Sequence, residues 1–256
     1  MGLSKPSMTT RRVFGAILLL PVVFAVGYDQ TIGGLMVMFL ALFMGLEAKR
    51  LTNMPPITGY LAVVLMVAQT IPYWMIERPM ALTFGVALLV ASMVLLHTKK
   101  NIAALFAGLL TLCLGYASLL LSQPAGHTML VALAVIIAGC DSTAYFAGRT
   151  IGGPKLWPQV SPNKTISGSV GGLVAAISLT LVLADIIGLV DQLDALILGL
   201  GLGILAQAGD LLESAIKRQL NVKDSGSILP GHGGMLDRFD GYILAIPAFY
   251  LYLFEI

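Results

Sequence analysis

The chain is 256 residues long, with 57% hydrophobic residues, 11% charged residues and a formal net charge of +2. Its mean hydropathy is +0.91. Water-soluble domains carry about 25% charged residues, so this composition excludes an ordinary soluble enzyme, a disulfide-built secreted scaffold and a disordered chain, and it leaves an all-α polytopic integral membrane protein. So small a net charge gives no reason to expect nucleic acid as a partner. Cys113 and Cys140 both lie inside apolar runs and read as small buried hydrophobes.

A membrane-spanning helix needs about 20 apolar residues. Nine runs are expected to span, at 13–28, 31–47, 56–75, 80–97, 102–122, 128–148, 168–190, 194–212 and 241–255. Alternating strands of a membrane barrel are absent. The first two runs are short and separated only by Asp29-Gln30-Thr31, so they read either as two spans or as one hairpin dipping into the bilayer. Lys5, Arg11 and Arg12 before the first run resemble the start of a signal peptide, but Pro21 interrupts the run. The runs divide into an N-terminal transmembrane region, 1–122, and a C-terminal region, 123–256, where the polar loops lie.

Charge placement orders these spans. Lys5, Arg11, Arg12, Lys49, Arg50, Lys99, Lys100, Arg149, Lys155, Lys164, Lys217, Arg218, Lys223 and Arg238 all fall on one side, and of the 15 Lys and Arg only Arg78 falls on the other. The positive-inside rule then predicts a cytoplasmic N-terminus and an outside C-terminus. The two polar, glycine-rich loops, 149–167 and 213–240, are predicted to be cytoplasmic.

Asp141 lies at the polar end of the sixth run. A carboxylate in a span costs at least about 2.5–3.5 kcal/mol and faces a partner or a wet cavity. Asp141, Tyr145 and Gly148 share one helical face; pairing of Asp141 with Arg149 is the structural alternative. Ser161 to Gly172 then places hydroxyls, Lys164 and glycines just before a helix, a pattern suited to an anion or simply to a cap. In 210–240, Asp210, Glu213, Ser214 and Lys217 share a face, and Asp237 and Asp240 stand at the entrance to the last span. Carboxylates beside Lys and Arg suit a divalent cation holding phosphates, or a solvated salt-bridge network.

Residues 214–240 carry Ser214, Lys217-Arg218, Lys223-Asp224, Pro230, His232-Gly233-Gly234 and Asp237-Arg238-Phe239-Asp240. This stretch resembles the signature of the phosphatidate cytidylyltransferases (CDP-diglyceride synthases), with every fixed position met. Asp141–Gly148 and Ser161-Pro162, Lys164-Thr165 and Gly168 are similar to upstream blocks of the family. Ser167 departs from it, standing where relatives carry Glu or Gln.

The resemblance implies a CTP- and Mg²⁺-dependent transfer onto phosphatidic acid in the bilayer, giving CDP-diacylglycerol and pyrophosphate in phospholipid biosynthesis. It also implies about nine spans in the cell membrane, a homodimer, and an active site at the cytoplasmic ends of the C-terminal helices. Asp210 and Asp237, supported by Asp141 and Asp240, are expected at the metal. Lys164, Lys217, Arg218, Lys223 and Arg238 are expected to hold phosphates, with Asp224 and His232 orienting the loop. Tyr145, Ser161, Thr165 and Ser214 are expected near substrate. A sibling enzyme acting on an ether lipid phosphate is the alternative. An ion-coupled transporter would place charges at the midplane of an inverted repeat, which the sequence lacks, and the pattern of the CDP-alcohol phosphotransferases is absent.

Overall fold

The computed structural model describes residues 27–71, 80–226 and 233–255. Asp29 caps the first helix, α1 (Gln30–Leu51), accepting hydrogen bonds from the N–H groups of Thr31 and Ile32. Pro56 sits at the first position of α2 (Pro56–Ala68), where its missing N–H costs nothing. Next come α3 (Met80–Thr98), α4 (Asn101–Leu121) and α5 (Gly126–Thr150). The chain then makes two short antiparallel strands, β1 (Lys155–Trp157) and β2 (Ser161–Thr165). Thr165 ends the hairpin and caps α6 (Ile166–Ile187), its Oγ1 accepting the N–H of Gly168. The fold closes with α7 (Gln192–Gln219), the single turn α8 (Leu236–Phe239) and α9 (Tyr242–Phe254).

Among the described residues, α1, α4, α5, α6 and α7 are long and apolar enough to cross a membrane, and α2, α3 and α9 are shorter apolar helices. The protein is therefore an all-α, multi-pass membrane protein with one small hairpin. Exposed Leu88 (70%) and Ile186 (71%) fit this, since lipid rather than water meets such side chains. The first expected run lies mostly outside the described residues. The third, expected to reach 75, ends its helix at Ala68, where the Thr70 hydroxyl donates to the Val67 carbonyl. The eighth run continues unbroken beyond its apolar part to Gln219. The strands in 149–167 were not anticipated.

Small residues set the helix crossings around the polar end. A Cβ on Gly168 would lie 2.6 Å from the Ala144 carbonyl oxygen, and one on Gly148 would lie 2.7 Å from Thr165 Oγ1. Only bare backbone lets α5 and α6 approach so closely. One core cluster joins Tyr116, Leu120, Leu133, Leu202 and Phe249. A second packs Leu236 and Ile243 among Leu40, Met44 and Leu110, so both clusters draw on each half of the chain.

Candidate active site

Four separate stretches of sequence converge on one cavity of about 820 Å³. From α5 come Asp141 and Tyr145, from the hairpin Lys155, Lys164 and Thr165, and from α7 Asp210 and Lys217. Asp224, Asp237, Arg238 and Asp240 complete the wall from the loop that follows. The packing that brings them together is local. A Cβ on Gly209 would lie 2.4 Å from the Asp240 carbonyl oxygen, so the missing side chain lets the start of the last span press against α7 beside Asp210.

Cations and carboxylates alternate across this surface. Lys164 Nζ pairs with Asp210 Oδ2 at 2.5 Å, and Ser214 Oγ donates to the other Asp210 oxygen at 3.4 Å. Lys217 Nζ bridges Glu213 Oε2 (2.9 Å) and Asp237 Oδ1 (2.6 Å). Asp237 also accepts the backbone N–H groups of Ser225 and Gly234 at 2.9 and 2.7 Å. Burial opposes its ionisation, but the Lys217 ammonium and these N–H donors outweigh it and hold its carboxyl below the ordinary range. Asp240 is the opposite case. Burial, then the charges of Asp210, Glu213 and Asp141, push its carboxyl well above the usual value. A cluster of like charges of this kind is relieved by a cation.

The expected residues divide by position. Asp141, Tyr145, Lys164, Thr165, Asp210, Lys217, Asp224, Asp237, Arg238 and Asp240 all border the cavity. Tyr145 OH accepts from Arg149 at 3.0 Å, and Thr165 Oγ1 is committed to its cap. Ser161, Ser214, Arg218 and Lys223 do not line it. Ser161 begins β2, while Arg218 donates to the carbonyls of Val160 and Val222 at 3.4 Å, tying hairpin to loop. His232 lies outside the described residues. Ser167, the departure from the family pattern, donates its hydroxyl to the Gly152 carbonyl and closes the turn into the hairpin.

Two buried carboxylates went unassigned. Glu213 shares the helical face of Asp210 and Lys217; it is fully buried, and its Oε1 has no hydrogen-bond partner among the described residues. Glu47 lies in α1, far from the signature in sequence, and the same cost of an acidic group in an apolar run that singled out Asp141 applies to it. No group of three or more His, Cys, Asp or Glu among the described residues is arranged to hold a metal unaided. Mg²⁺ takes one or two carboxylates and completes its shell with phosphate and water, so the carboxylates of this cavity would fit it only together with a bound phosphate. Asp141, Asp210, Asp237 and Asp240 all border the cavity as oxygen donors, with Asp210 paired to Lys164 and Asp237 to Lys217 and two N–H groups.

A family model described as "Cytidylyltransferase family" matches residues 9–255. The phosphatidate cytidylyltransferase of Brucella abortus is 46% identical over 143 residues, covering 54% of this chain and 53% of that protein. That of Bacillus subtilis is 50% identical over 133 residues, covering 50% and 48%. This chain thus spans about half the length of these relatives. The phosphatidate cytidylyltransferase of Staphylococcus saprophyticus is 31% identical over 257 residues, covering 97% of this chain and 98% of that protein.

Proposed function

The chain belongs to the cytidylyltransferase family, and we propose that it is a phosphatidate cytidylyltransferase, converting CTP and phosphatidic acid to CDP-diacylglycerol and pyrophosphate. One juxtaposition carries the substrate assignment. Arg238 borders both the polar cavity and a second, apolar cavity of about 160 Å³ lined by Leu40, Met44, Leu114, Phe239 and Tyr242. A charged chamber and an apolar one that share Arg238 suit a substrate with a phosphate head and a hydrocarbon tail.

A phosphate oxygen of phosphatidate attacks the α-phosphorus of CTP. The new O–P bond forms as the bond between the α-phosphorus and its bridging oxygen to the β-phosphate breaks, and pyrophosphate leaves with that oxygen. The lipid brings its own nucleophile, so no activated Ser or Cys is required. The protein's work is positioning and charge neutralisation. Lys164 and Arg238 meet phosphate oxygens, and Lys217 stands behind them, holding Asp237 and Glu213 in place. One or two of Asp141, Asp210, Asp237 and Asp240 would hold Mg²⁺, which supplies positive charge to the triphosphate; Asp210 would exchange Lys164, and Asp237 would exchange Lys217, to do so.

The placement of positive charge supports an orientation with this chamber on the cytoplasmic side of the cell membrane and the C-terminus outside. Residues 123–256 carry the chemistry and residues 1–122 support it; a homodimer remains part of the proposal. The deciding assay uses purified protein with labelled CTP and Mg²⁺, offering diacyl phosphatidate or its ether analogue. Lipid-linked CDP and stoichiometric pyrophosphate from the diacyl substrate are expected. Preference for the ether lipid by tenfold or more would reassign the substrate, and no product from either would remove the activity.

A further inference from the structure

We infer that Glu47 is a positioning residue for the active-site loop, a carboxylate from the N-terminal half that sets where Asp237 and Arg238 stand. The inference rests on the function proposed above. Glu47 is completely buried in α1, near its polar end. Its Oε1 accepts the N–H of Met235 at 2.9 Å, and its Oε2 accepts the N–H of Leu236 at 2.8 Å and the Ser225 hydroxyl at 3.3 Å. Three donors on one buried carboxylate make charge-assisted bonds, roughly twice as strong as neutral ones.

The contacts are those of a clamp. The segment around Ser225 and the segment 233–236 are the two ends of one loop, and each is gripped twice. From the cavity side, Asp237 accepts the N–H groups of Ser225 and Gly234. From the core side, Glu47 accepts the Ser225 hydroxyl and the very next N–H groups, of Met235 and Leu236. Ser225 thus donates its N–H to one carboxylate and its hydroxyl to the other. Asp237 and Arg238, which face the cavity, directly follow the residues that Glu47 holds.

Two glycines of the loop exist for this carboxylate. A Cβ on Gly226 would lie 2.5 Å from Glu47 Oε1, and one on Gly234 would meet the Ser225 hydroxyl first and then the two Glu47 oxygens at 2.6 and 2.7 Å. Neither glycine needs unusual backbone freedom, since neither has positive φ; both need to leave room. Loop glycines that admit a residue nearly 180 positions away in sequence show that α1 belongs to the active site's support.

The experiment uses the full chain in nanodiscs. Glu47→Gln keeps the size of the side chain but turns an amide N–H₂ toward backbone donors. Amide hydrogen exchange, read without substrate, is expected to speed up about tenfold or more in peptides covering 225–226 and 233–238, while α4 and α5 keep wild-type protection. In the assay, kcat is expected to fall at least 30-fold with KM for CTP within threefold. Ser225→Ala removes one donor and is expected to give a smaller effect of the same kind. The double variant should be no worse than Glu47→Gln, because both residues act through one clamp. If Glu47→Gln does not fold, Ser225→Ala alone decides: faster exchange confined to the loop ends supports the clamp, and unchanged exchange there overturns it. A folded Glu47→Gln with wild-type exchange at 233–238, or with kcat per folded molecule within threefold of wild type, also overturns it. Wild type that yields no lipid-linked CDP would defeat the proposed function instead, leaving the exchange result to judge the clamp.

Discussion

Gly209→Ala should damage this protein out of proportion to the single methyl group it adds. The new Cβ would lie 2.4 Å from the Asp240 carbonyl oxygen, 3.4 Å from its carbonyl carbon and 3.6 Å from Gly241 Cα. All are backbone atoms, so no flexible side chain can step aside. An ordinary contact begins near 3.5 Å, so the entrance to α9 must retreat by about 1 Å. Two effects oppose each other in stability. Replacing a mid-helix glycine by alanine gains about 1 kcal/mol in helix propensity, whereas forcing an extra carbon into a packed site costs about 1–3 kcal/mol. The net change is a loss of at most about 2 kcal/mol, which the fold survives. Activity is hit harder, because the retreat moves Asp240 away from Asp210, and a misplacement of about 1 Å in an active site can cost about 100-fold. Gly201→Ala is the control: it lies in the same helix with nothing within 4 Å of the added carbon. It should keep full activity and a melting temperature at or slightly above wild type. The assay is kcat/KM in nanodiscs alongside thermal unfolding. Gly209→Ala within threefold of wild type would show that the close approach of α7 and the last span does not position the chemistry.

Lys164→Ala should lower kcat/KM by about 30- to 1000-fold, the equivalent of about 2–4 kcal/mol of lost phosphate stabilisation; activity within threefold would leave the 161–172 segment as a mere helix cap. Asp210→Asn should abolish most turnover in a folded protein, and wild type should lose activity in EDTA and regain it with Mg²⁺. Unimpaired turnover in EDTA would end the metal assignment. Asp237→Asn should cost as much, and should add little to Asp210→Asn because both serve one site; if the two losses multiply, they act independently. Gln159→Cys, in a background lacking Cys113 and Cys140, should resist an impermeant thiol reagent in intact cells and label after permeabilisation, whereas labelling without permeabilisation would invert the topology.

The sequence was most readable where one physical cost dominates. Apolar length located each described long helix to within a few residues, save the third run, whose hydrophobicity continues after the helix has stopped at Ala68, and the eighth, whose helix runs on to Gln219. An acidic residue in lipid is expensive, so Asp141 was conspicuous, and the site's charged residues could be gathered because their helices end on one side. The hairpin escaped because strands of three and five residues give too short an alternation to separate from a turn. Arg218, which the resemblance places at a phosphate, donates Nε and Nη1 to the carbonyls of Val160 and Val222, backbone partners that sequence does not display. Glu47 was passed over because its partners are backbone N–H groups about 190 residues downstream, and a backbone donor leaves no mark in the sequence.

These observations separate two kinds of position within the same short blocks of sequence. Asp141, Lys164, Asp210, Asp237 and Arg238 face the cavity and carry charge. Gly148, Gly168, Gly209, Gly226 and Gly234 interleave with them in sequence, two of them also bordering the cavity, and a Cβ at any of the five would run into neighbouring backbone, the Thr165 hydroxyl or the Glu47 carboxylate. Charged positions tolerate change by losing a contact; the glycine positions move whole elements when filled. Adding a methyl group at a glycine should therefore depress kcat through misplacement of several charged groups at once, while removing one charge should act on a single phosphate or cation contact. A motif of this composition specifies the shape of the chamber as strictly as its chemistry. That is why its short blocks can lie tens of residues apart in the chain and still meet: each carries with its charges the bare backbone surface that docks it against the next.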